Sequence, residues 1–227
     1  MLGIIIQARM GSSRLPGKVL KKIGNKTLLE HIIFRLERLK NIAKVVIATS
    51  SEEIDDIIEE FCKKSGVVCF RGSETNVLER YYLCAKQHGF DEIVRLTADN
   101  PFVDIEELDN LICFFRSEKA EYAHSFNVLP YGVGTEIFAY KALEKDFQES
   151  SMPHHFEHVN EYILENPDKF KTVVLPAKAE KNRPDIRLTV DTQEDYERAC
   201  YIVENCDEEY VSTESAIKLA LDFEAFF

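Results

Sequence analysis

Short apolar segments alternate with amphipathic helical patterns over about the first hundred residues of the chain. The predicted strands are 2–7, 44–48, 67–70 and 92–97, and the predicted helices between them are 27–39, 51–64 and 77–87. Strands joined by helices in this way form right-handed βαβ units, in which the strands are parallel and lie in one sheet. We therefore predict an α/β fold with a doubly wound, mostly parallel sheet that carries helices on both faces.

The pattern is less regular after Asp104. A predicted helix at 105–117 and a strand at 121–126 precede a turn with Pro130, Gly132 and Gly134. The further predicted elements are strands at 135–140, 171–175 and 187–190 and helices at 153–165 and 193–205. The region of the turn is typical of a small insertion over the sheet edge, at about 124–185. Because 227 residues suit one large domain and no repeat or linker divides them, we predict a single domain over 1–227.

The first predicted strand opens into a loop that is rich in glycine, hydroxyl and basic side chains. Its sequence is Gln7-Ala8-Arg9-Met10-Gly11-Ser12-Ser13-Arg14-Leu15-Pro16-Gly17-Lys18. Glycine lets the backbone approach a ligand closely, hydroxyl and amide groups donate hydrogen bonds, and the cations neutralise phosphate charge. We predict that this loop binds a polyphosphate at the carboxyl edge of the sheet, where open α/β folds bind ligands.

Two common phosphate-binding motifs do not fit this loop. A Walker A motif is excluded because five residues separate Gly11 from Gly17 and because Val19 follows Lys18. The Gly-x-Gly-x-x-Gly dinucleotide motif is not matched either. The alternative interpretation is an ordinary basic turn after a strand, which three cations in so acidic a chain make the weaker one.

Composition restricts the expected partners and compartment. The net charge of −12 disfavours general nucleic-acid binding, which needs a basic surface. The six cysteines contain no Cys-x-x-Cys pair, so we expect free thiols in a reducing compartment rather than a metal cluster or a disulfide framework. The N-terminal apolar run of about five residues is too short for a signal peptide or a membrane span. We predict a cytoplasmic protein with no membrane partner.

Two aspartates follow predicted strands at the edge where the loop lies. Asp99 comes after the strand at 92–97, and Asp191 comes directly after the strand at 187–190. Carboxylates at such positions can hold Mg²⁺, with substrate phosphates supplying further oxygen ligands. Each aspartate alone could merely cap a helix or close a turn. Together with the phosphate-binding loop, however, the pair predicts a magnesium site, with Mg²⁺ as the cofactor.

Five segments resemble those of the sugar cytidylyltransferases and occur in the same order. They are 7–18, 71–81, 95–101, 155–159 and 187–192. The family includes the CMP-Kdo and CMP-acylneuraminate synthetases, and the resemblance is closest to its spore-coat polysaccharide biosynthesis branch, SpsF. It implies a Rossmann-like fold of the nucleotide-diphospho-sugar transferase type. It also implies transfer of CMP from CTP to a sugar or sugar acid, nonulosonic-acid-like or phosphorylated, with release of pyrophosphate, for surface polysaccharide or glycan biosynthesis.

The resemblance assigns roles to the residues that match. The implied nucleotide-binding residues are Ala8, Arg9, Gly11, Ser12, Ser13, Arg14, Lys18, Arg71 and Thr97. The implied catalytic residues are Arg14, Lys18 and Asp99, and the implied Mg²⁺ ligands are Asp99 and Asp191. Glu136, His155, His158 and Arg187 are expected to contact the acceptor, and the segment 124–185 is expected to form part of a homodimer interface. Positioning and charge neutralisation suffice for this reaction, so no protein nucleophile is expected.

Four residues depart from the pattern of that branch. Ala98 and Asn100 replace a Gly and a Cys on either side of Asp99, Gly134 replaces an acidic residue, and Phe156 replaces an Arg. The last two lie in regions expected to receive the acceptor. The departures therefore concern the identity of the acceptor more than the reaction.

Two other functions remain as alternatives at this point. A glycosyltransferase of related topology would be favoured by an Asp-x-Asp metal motif, which the chain lacks. A non-catalytic nucleotide-binding homologue is conceivable because of the four departures, although Arg14, Lys18, Asp99 and Asp191 are retained.

Two further clusters have less certain roles. His154, His155 and His158 lack a third metal ligand of matched spacing, so we expect substrate contact or ordinary surface histidines rather than zinc. The basic stretch 178–187 could approach an anionic acceptor or form a solvated charged loop.

Overall fold

A seven-stranded sheet forms the centre of the computed structural model, which describes residues 1–226. Its strands are β1 (Leu2–Gln7), β4 (Lys44–Ser50), β5 (Val68–Gly72), β6 (Glu92–Thr97), β7 (Tyr122–His124), β8 (Glu136–Ala139) and β9 (Thr172–Val174), while β2 (Lys22–Ile23) and β3 (Lys26–Thr27) form a separate pair. The strand order is β5-β4-β1-β6-β8-β7-β9. Strand β8 is antiparallel to both β6 and β7, and the other neighbours are parallel. The predicted α/β fold with a mostly parallel sheet is confirmed.

Nine helices accompany the sheet within residues 1–226, and four of them begin at residues whose side chains accept hydrogen bonds from the first turn. They are α1 (Leu28–Leu36), α2 (Asp56–Ser65), α3 (Val77–His88), α4 (Ile105–Glu118), α5 (Tyr140–Glu149), α6 (Pro153–Glu157), α7 (Glu161–Glu165), α8 (Gln193–Glu204) and α9 (Thr213–Phe226). Thr27, Asn76, Asp104 and Thr192 cap α1, α3, α4 and α8 in this way. No helix within residues 1–226 has the length and apolar character that crossing a membrane requires.

Alternate residues of β1 face two different apolar cores. Ile4 and Ile6 are fully buried against α1 and α4, whereas Ile5 is fully buried against α3 and α5. Because successive side chains of a strand point to opposite faces, this pattern means that helices cover the sheet on both sides. The doubly wound arrangement predicted from the sequence is therefore present.

The second half of the chain corrects several sequence predictions. Within the segment expected to lie over the sheet edge, β8 and β9 instead extend the sheet, with β8 between β6 and β7 and β9 beside β7. The predicted helix at 153–165 is two short helices, α6 and α7.

The predicted strand at 187–190 is not a strand. Arg187 forms a single β-bridge with Tyr131, whose N–H donates to the Ile186 carbonyl over 2.8 Å. A longer ladder does not form because the partner segment turns away at Gly132, whose φ is 93°. A Cβ at Gly132 would lie 2.6 Å from the backbone nitrogen of Thr189, so the close approach of these segments requires glycine here.

Candidate active site

Two cavities adjoin at the carboxyl edge of the parallel strands. The first, which we call the loop cavity, has a volume of about 570 Å³ and is lined by the loop that follows β1. The second, which we call the turn cavity, has a volume of about 600 Å³, and many of the residues that line it come from the segment 126–136. They share one wall, formed by Arg95, Thr97, Asp99, His158 and Asp191. Two ligands, one bound in each cavity, would therefore contact each other at this wall.

Lys18 is held between the two aspartates that the sequence singled out. Its Nζ donates to Asp99 Oδ2 over 2.9 Å, to Asp191 Oδ1 over 2.7 Å and to the Val190 carbonyl over 2.9 Å. The side chain reaches this position from a short 3₁₀ turn, Lys18–Leu20, that begins after Gly17 with a φ of 68°. All three ammonium protons are used, and the residue is 8% exposed.

Asp191 is surrounded by positive charge. Besides Lys18, Arg14 lies 3.5 Å and Arg187 lies 2.6 Å from its carboxylate oxygens. Burial alone would raise the pKa of Asp191, but the hydrogen bonds from Lys18 and Arg187 and the charge of Arg14 lower it below the ordinary value. The group is therefore ionised at neutral pH.

The two aspartates fit a divalent cation. Their oxygens converge on one point, which the Lys18 ammonium occupies in this structure. Hard oxygen ligands of this kind are what Mg²⁺ prefers. The cation and the ammonium would compete for this point, so metal binding at both aspartates requires Lys18 to move to other acceptors.

The structure brings most of the predicted site residues together. The loop cavity is lined by Arg9, Gly11, Ser12, Ser13, Arg14, Lys18, Thr97, Asp99 and Asp191. The turn cavity is lined by Glu136 and His158 from the predicted acceptor set. Four predicted residues line neither cavity, namely Ala8, Arg71, His155 and Arg187.

Comparison with known proteins identifies the family of this site. The family model for cytidylyltransferases matches residues 3–217. The chain belongs to the cytidylyltransferase family. It is thus a nucleotidyltransferase. It is 40% identical over 206 residues to the spore coat polysaccharide biosynthesis protein SpsF of Bacillus subtilis, covering 85% of this chain and 82% of that protein.

Solved structures agree with this assignment. A cytidylyltransferase from Leptospira borgpetersenii is 36% identical and superposes with a TM-score of 0.91, covering 99% of this chain and 95% of that one. A CMP:2-keto-3-deoxy-manno-octonic acid synthetase in complex with CTP has the same fold, with a TM-score of 0.67 at 20% identity over 89% of this chain and 98% of that one.

Arg71, a nucleotide-binding residue according to the family resemblance, lines neither cavity. Its guanidinium donates to the Ser50 carbonyl over 2.9 Å, to the Glu52 carbonyl over 2.8 Å and to Glu59 over 2.9 Å. Arg71 thereby joins β5 to the start of α2. The Ala8 methyl group is buried in the core beside the sheet, and its backbone N–H donates to the Ala48 carbonyl over 3.2 Å.

His155 belongs to a hydrogen-bonded cluster outside both cavities. Its Nε2 lies 2.8 Å from Glu165 Oε2, and the Nε2 of His154 lies 2.8 Å from Glu165 Oε1. Glu165 is thus the third potential metal ligand that the sequence spacing did not show, and the three ligand atoms lie within 4.8 Å of one another. However, His155 Nδ1 accepts from the N–H groups of Ser151 and Met152 at 3.4 and 3.3 Å. The ring therefore carries its proton on Nε2, where a metal would have to bind, and a hydrogen-bonded role fits better.

The basic stretch 178–187 anchors the chain instead of facing a ligand. Lys181 is 2% exposed and lies 2.9 Å from both Asp104 and Glu106 and 3.3 Å from Glu107. Lys178 pairs with Glu106 over 2.6 Å. The other basic residues of the stretch also pair with carboxylates: Arg183 pairs with Asp185, and Arg187 pairs with Asp191 and Asp195. Arg187 thus orients Asp191 and does not reach the turn cavity.

The departures from the family pattern have local explanations. Phe156 packs against the core on the side of α3 and α5. A Cβ at Gly134 would lie 2.9 Å from the Ser125 carbonyl oxygen, so an acidic side chain does not fit there without a backbone shift. Asn100 donates to Thr97 Oγ1 over 2.8 Å and leaves its own buried Oδ1 without a partner among residues 1–226. Ala98 is buried in the wall of the loop cavity.

Arg95 is a site residue that the sequence reasoning missed. It lines both cavities and donates to Glu136, which is fully buried and also accepts from the Tyr122 hydroxyl over 2.5 Å. Asn160 donates to the same hydroxyl over 3.1 Å. A charged residue between the apolar residues Val94 and Leu96, two positions before Thr97, is the signal that could have identified it.

Proposed function

We propose that the protein transfers CMP from CTP to a hydroxyl group of a sugar or sugar acid and releases pyrophosphate. The observation that carries this proposal is the wall shared by the two cavities. Transfer of a nucleotidyl group needs an acceptor oxygen on one side of the α-phosphorus and the leaving pyrophosphate on the other. Two compartments that meet at Asp99, Thr97 and Asp191 provide this arrangement.

The loop cavity suits the nucleotide. Ser12 and Ser13 offer hydrogen-bond donors, and Arg14 and Lys18 offer positive charge. These groups would bind the triphosphate and neutralise the charge that develops on the leaving pyrophosphate. The structural neighbour that was solved with CTP supports CTP as the nucleotide.

The turn cavity suits a polar, ring-shaped acceptor. Asn127, Tyr131, Asn160 and Thr189 offer neutral hydrogen-bonding groups, and Phe126 offers an apolar face. Such a combination of amide, hydroxyl and aromatic groups fits the alternating polar and apolar surfaces of a sugar. His158, which lines both cavities, would lie beside the acceptor close to the transferred group.

Asp99 and Asp191 would hold Mg²⁺. When bound there together with phosphate oxygens, the ion would withdraw negative charge from the triphosphate. Lys18, displaced from the aspartates, would find acceptors on the triphosphate. Arg187 and Arg14 would keep the Asp191 carboxylate in place.

The test is to incubate the purified protein with each of the four nucleoside triphosphates, Mg²⁺ and a panel of sugars and sugar acids, and to measure pyrophosphate. We expect release with CTP and an acceptor, well above the rate with CTP alone. Turnover of a nucleotide sugar but not of CTP would favour a glycosyltransferase. Tight CTP binding without pyrophosphate release for any acceptor would favour a non-catalytic homologue.

A further inference from the structure

One end of the loop cavity is formed by the segment between β5 and α3. Glu74 and Thr75 line the cavity there, together with Arg9 and Gly11 from the opening loop. Strand β5 is an edge strand of the sheet, and β4 and β1 separate it from β6. This end is therefore opposite the wall with Thr97 and Asp99, where the transferred phosphate must lie.

The Glu74 carboxylate faces the opening loop across the cavity. A Cβ built on Gly11 would lie 3.8 Å from Glu74 Oε1. The side chain is half-buried, and within residues 1–226 it has neither an ion-pair partner nor a hydrogen-bond donor. Nearby acids differ in this respect, since Asp56 and Glu59 are both bound to Arg71. Glu74 thus presents to the cavity an acceptor without a hydrogen-bond donor.

A second unsatisfied group lies behind the same wall. Arg80 is fully buried, and one of its nitrogens donates to the Ser73 carbonyl over 2.5 Å. Its Nε and its other terminal nitrogen have no partner among residues 1–226. Buried donors without acceptors are costly. Arg80 does not line the cavity, but the charge of Glu74 acts on its guanidinium through the wall. At this end a ligand can therefore reach Glu74 but not Arg80.

We propose that Glu74 selects cytosine over uracil by accepting a hydrogen bond from the exocyclic amine of the base. Arg14 and Lys18, which would bind the triphosphate, lie beside Asp191 and Asp99 at the other end of the cavity, so the base lies at the Glu74 end. The amine at C4 of cytosine donates, whereas uracil has an acceptor oxygen at that position, which would face the carboxylate lone pairs. The inference rests on the proposed function, because it takes CTP as the substrate.

The test is calorimetric binding of CTP and UTP, with Mg²⁺ and without acceptor, to the wild type, Glu74→Gln and Glu157→Gln. Glu157 is the matched control, because it lines the same cavity beside His158, at the opposite end. We expect Glu74→Gln to lower the ratio of CTP to UTP affinity about tenfold or more, the discrimination that one charge-assisted hydrogen bond provides. Its amide can turn to donate to the uracil oxygen. Glu157→Gln keeps the wild-type ratio.

A second measurement does not depend on the variant. The wild type should bind CTP with two methyl groups on the exocyclic nitrogen about tenfold or more weakly than CTP, because this analogue has no donor there. In Glu74→Gln, the same methylation should cost much less.

The outcomes separate the two proposals. An unchanged ratio in Glu74→Gln, or equal binding of CTP and the dimethyl analogue by the wild type, overturns the role of Glu74 and leaves CTP as the substrate. Equal binding of CTP and UTP by the wild type, or binding of neither, overturns the assignment of CTP and this inference with it.

Discussion

The Nζ atom of Lys18 lies 2.7 Å from Oδ1 of Asp191, a residue 173 positions later in the chain. The same ammonium also donates a hydrogen bond to Asp99. One side chain therefore connects the opening loop, the end of β6 and the segment before α8. The phosphate-binding loop and the predicted metal ligands are therefore one unit. Its geometry also makes Lys18 a resident counter-ion for the two carboxylates.

Replacing this counter-ion should make stability depend on Mg²⁺. Lys18→Met leaves two partly buried carboxylates close together, and we expect a loss of roughly 2 to 3 kcal/mol in the free energy of unfolding. Added Mg²⁺ should restore more of the stability in the variant than it adds to the wild type, because the ion can occupy the vacated point. Urea unfolding with Mg²⁺ or with EDTA measures this. Equal effects of Mg²⁺ on both proteins would argue against a metal site at these aspartates.

The aspartates themselves should be required for turnover. Asp99→Asn and Asp191→Asn each remove a charged ligand for the metal, and we expect the rate of pyrophosphate release to fall about a hundredfold or more with the fold retained. Asp185→Asn is the control, since Asp185 pairs with Arg183 at the surface. Full activity in both site variants would remove the metal assignment.

The parts of the molecule that are encoded locally were predictable from the sequence. The run Leu2–Gln7, the caps at Thr27 and Thr192 and the cations of the opening loop each show their role within a few residues. The position of β8 was not predictable in this way. It is set by pairing with β6, which places Glu136 opposite Arg95 across some forty residues of chain. The central polar pair of the site thus exists only in the tertiary structure.

The same reason explains why the family resemblance assigned Arg71, His155 and Arg187 to the site although they line neither cavity. Each lies in a segment that resembles the family, but a motif does not show which way a side chain points. Arg71 finds acceptors on the segment 50–59, and His155 finds Glu165 on the following helix. These partners are contributed by other segments, so the orientation was settled only by packing.

A buried aspartate should make stability fall with rising pH. Burial raises the pKa of Asp146 to about 7; its hydrogen bond from Ser150 opposes this, and the charge of Glu136 adds to it. Between the unfolded pKa near 4 and the folded value, only the folded state binds the proton, so stability decreases as pH increases and is constant above about pH 7.

We therefore expect the free energy of unfolding of the wild type to fall by roughly 3 kcal/mol between pH 5 and pH 8. The Asp146→Asn variant should not show this decrease. The amide keeps the acceptor for Ser150, whose hydroxyl lies 2.7 Å from Oδ1. Urea unfolding at the two pH values measures the difference. Parallel pH profiles for the two proteins would show that Asp146 titrates normally.

Lys181 should contribute to stability but not to ligand binding. Lys181→Met leaves the carboxylates of Asp104, Glu106 and Glu107 without their shared cation. We expect the free energy of unfolding to fall by roughly 3 to 5 kcal/mol. Lys178→Met removes the same charge from the same stretch at an exposed position and should change stability little. Unfolding and CTP titration check both. A weaker CTP affinity in Lys181→Met than in Lys178→Met, under conditions where both are folded, would contradict this role.

The two histidines of the predicted acceptor set should separate into different roles. His158 is exposed and lines both cavities, so His158→Gln should raise the KM for the acceptor about tenfold, the effect of one lost hydrogen bond, and leave the unfolding free energy unchanged. His155 is 4% exposed and bound to Glu165, so His155→Gln should lose roughly 1 to 2 kcal/mol of stability with an unchanged KM. Steady-state pyrophosphate release and urea unfolding distinguish the two. Loss of acceptor affinity in the His155 variant instead would place the acceptor against α6 rather than in the turn cavity.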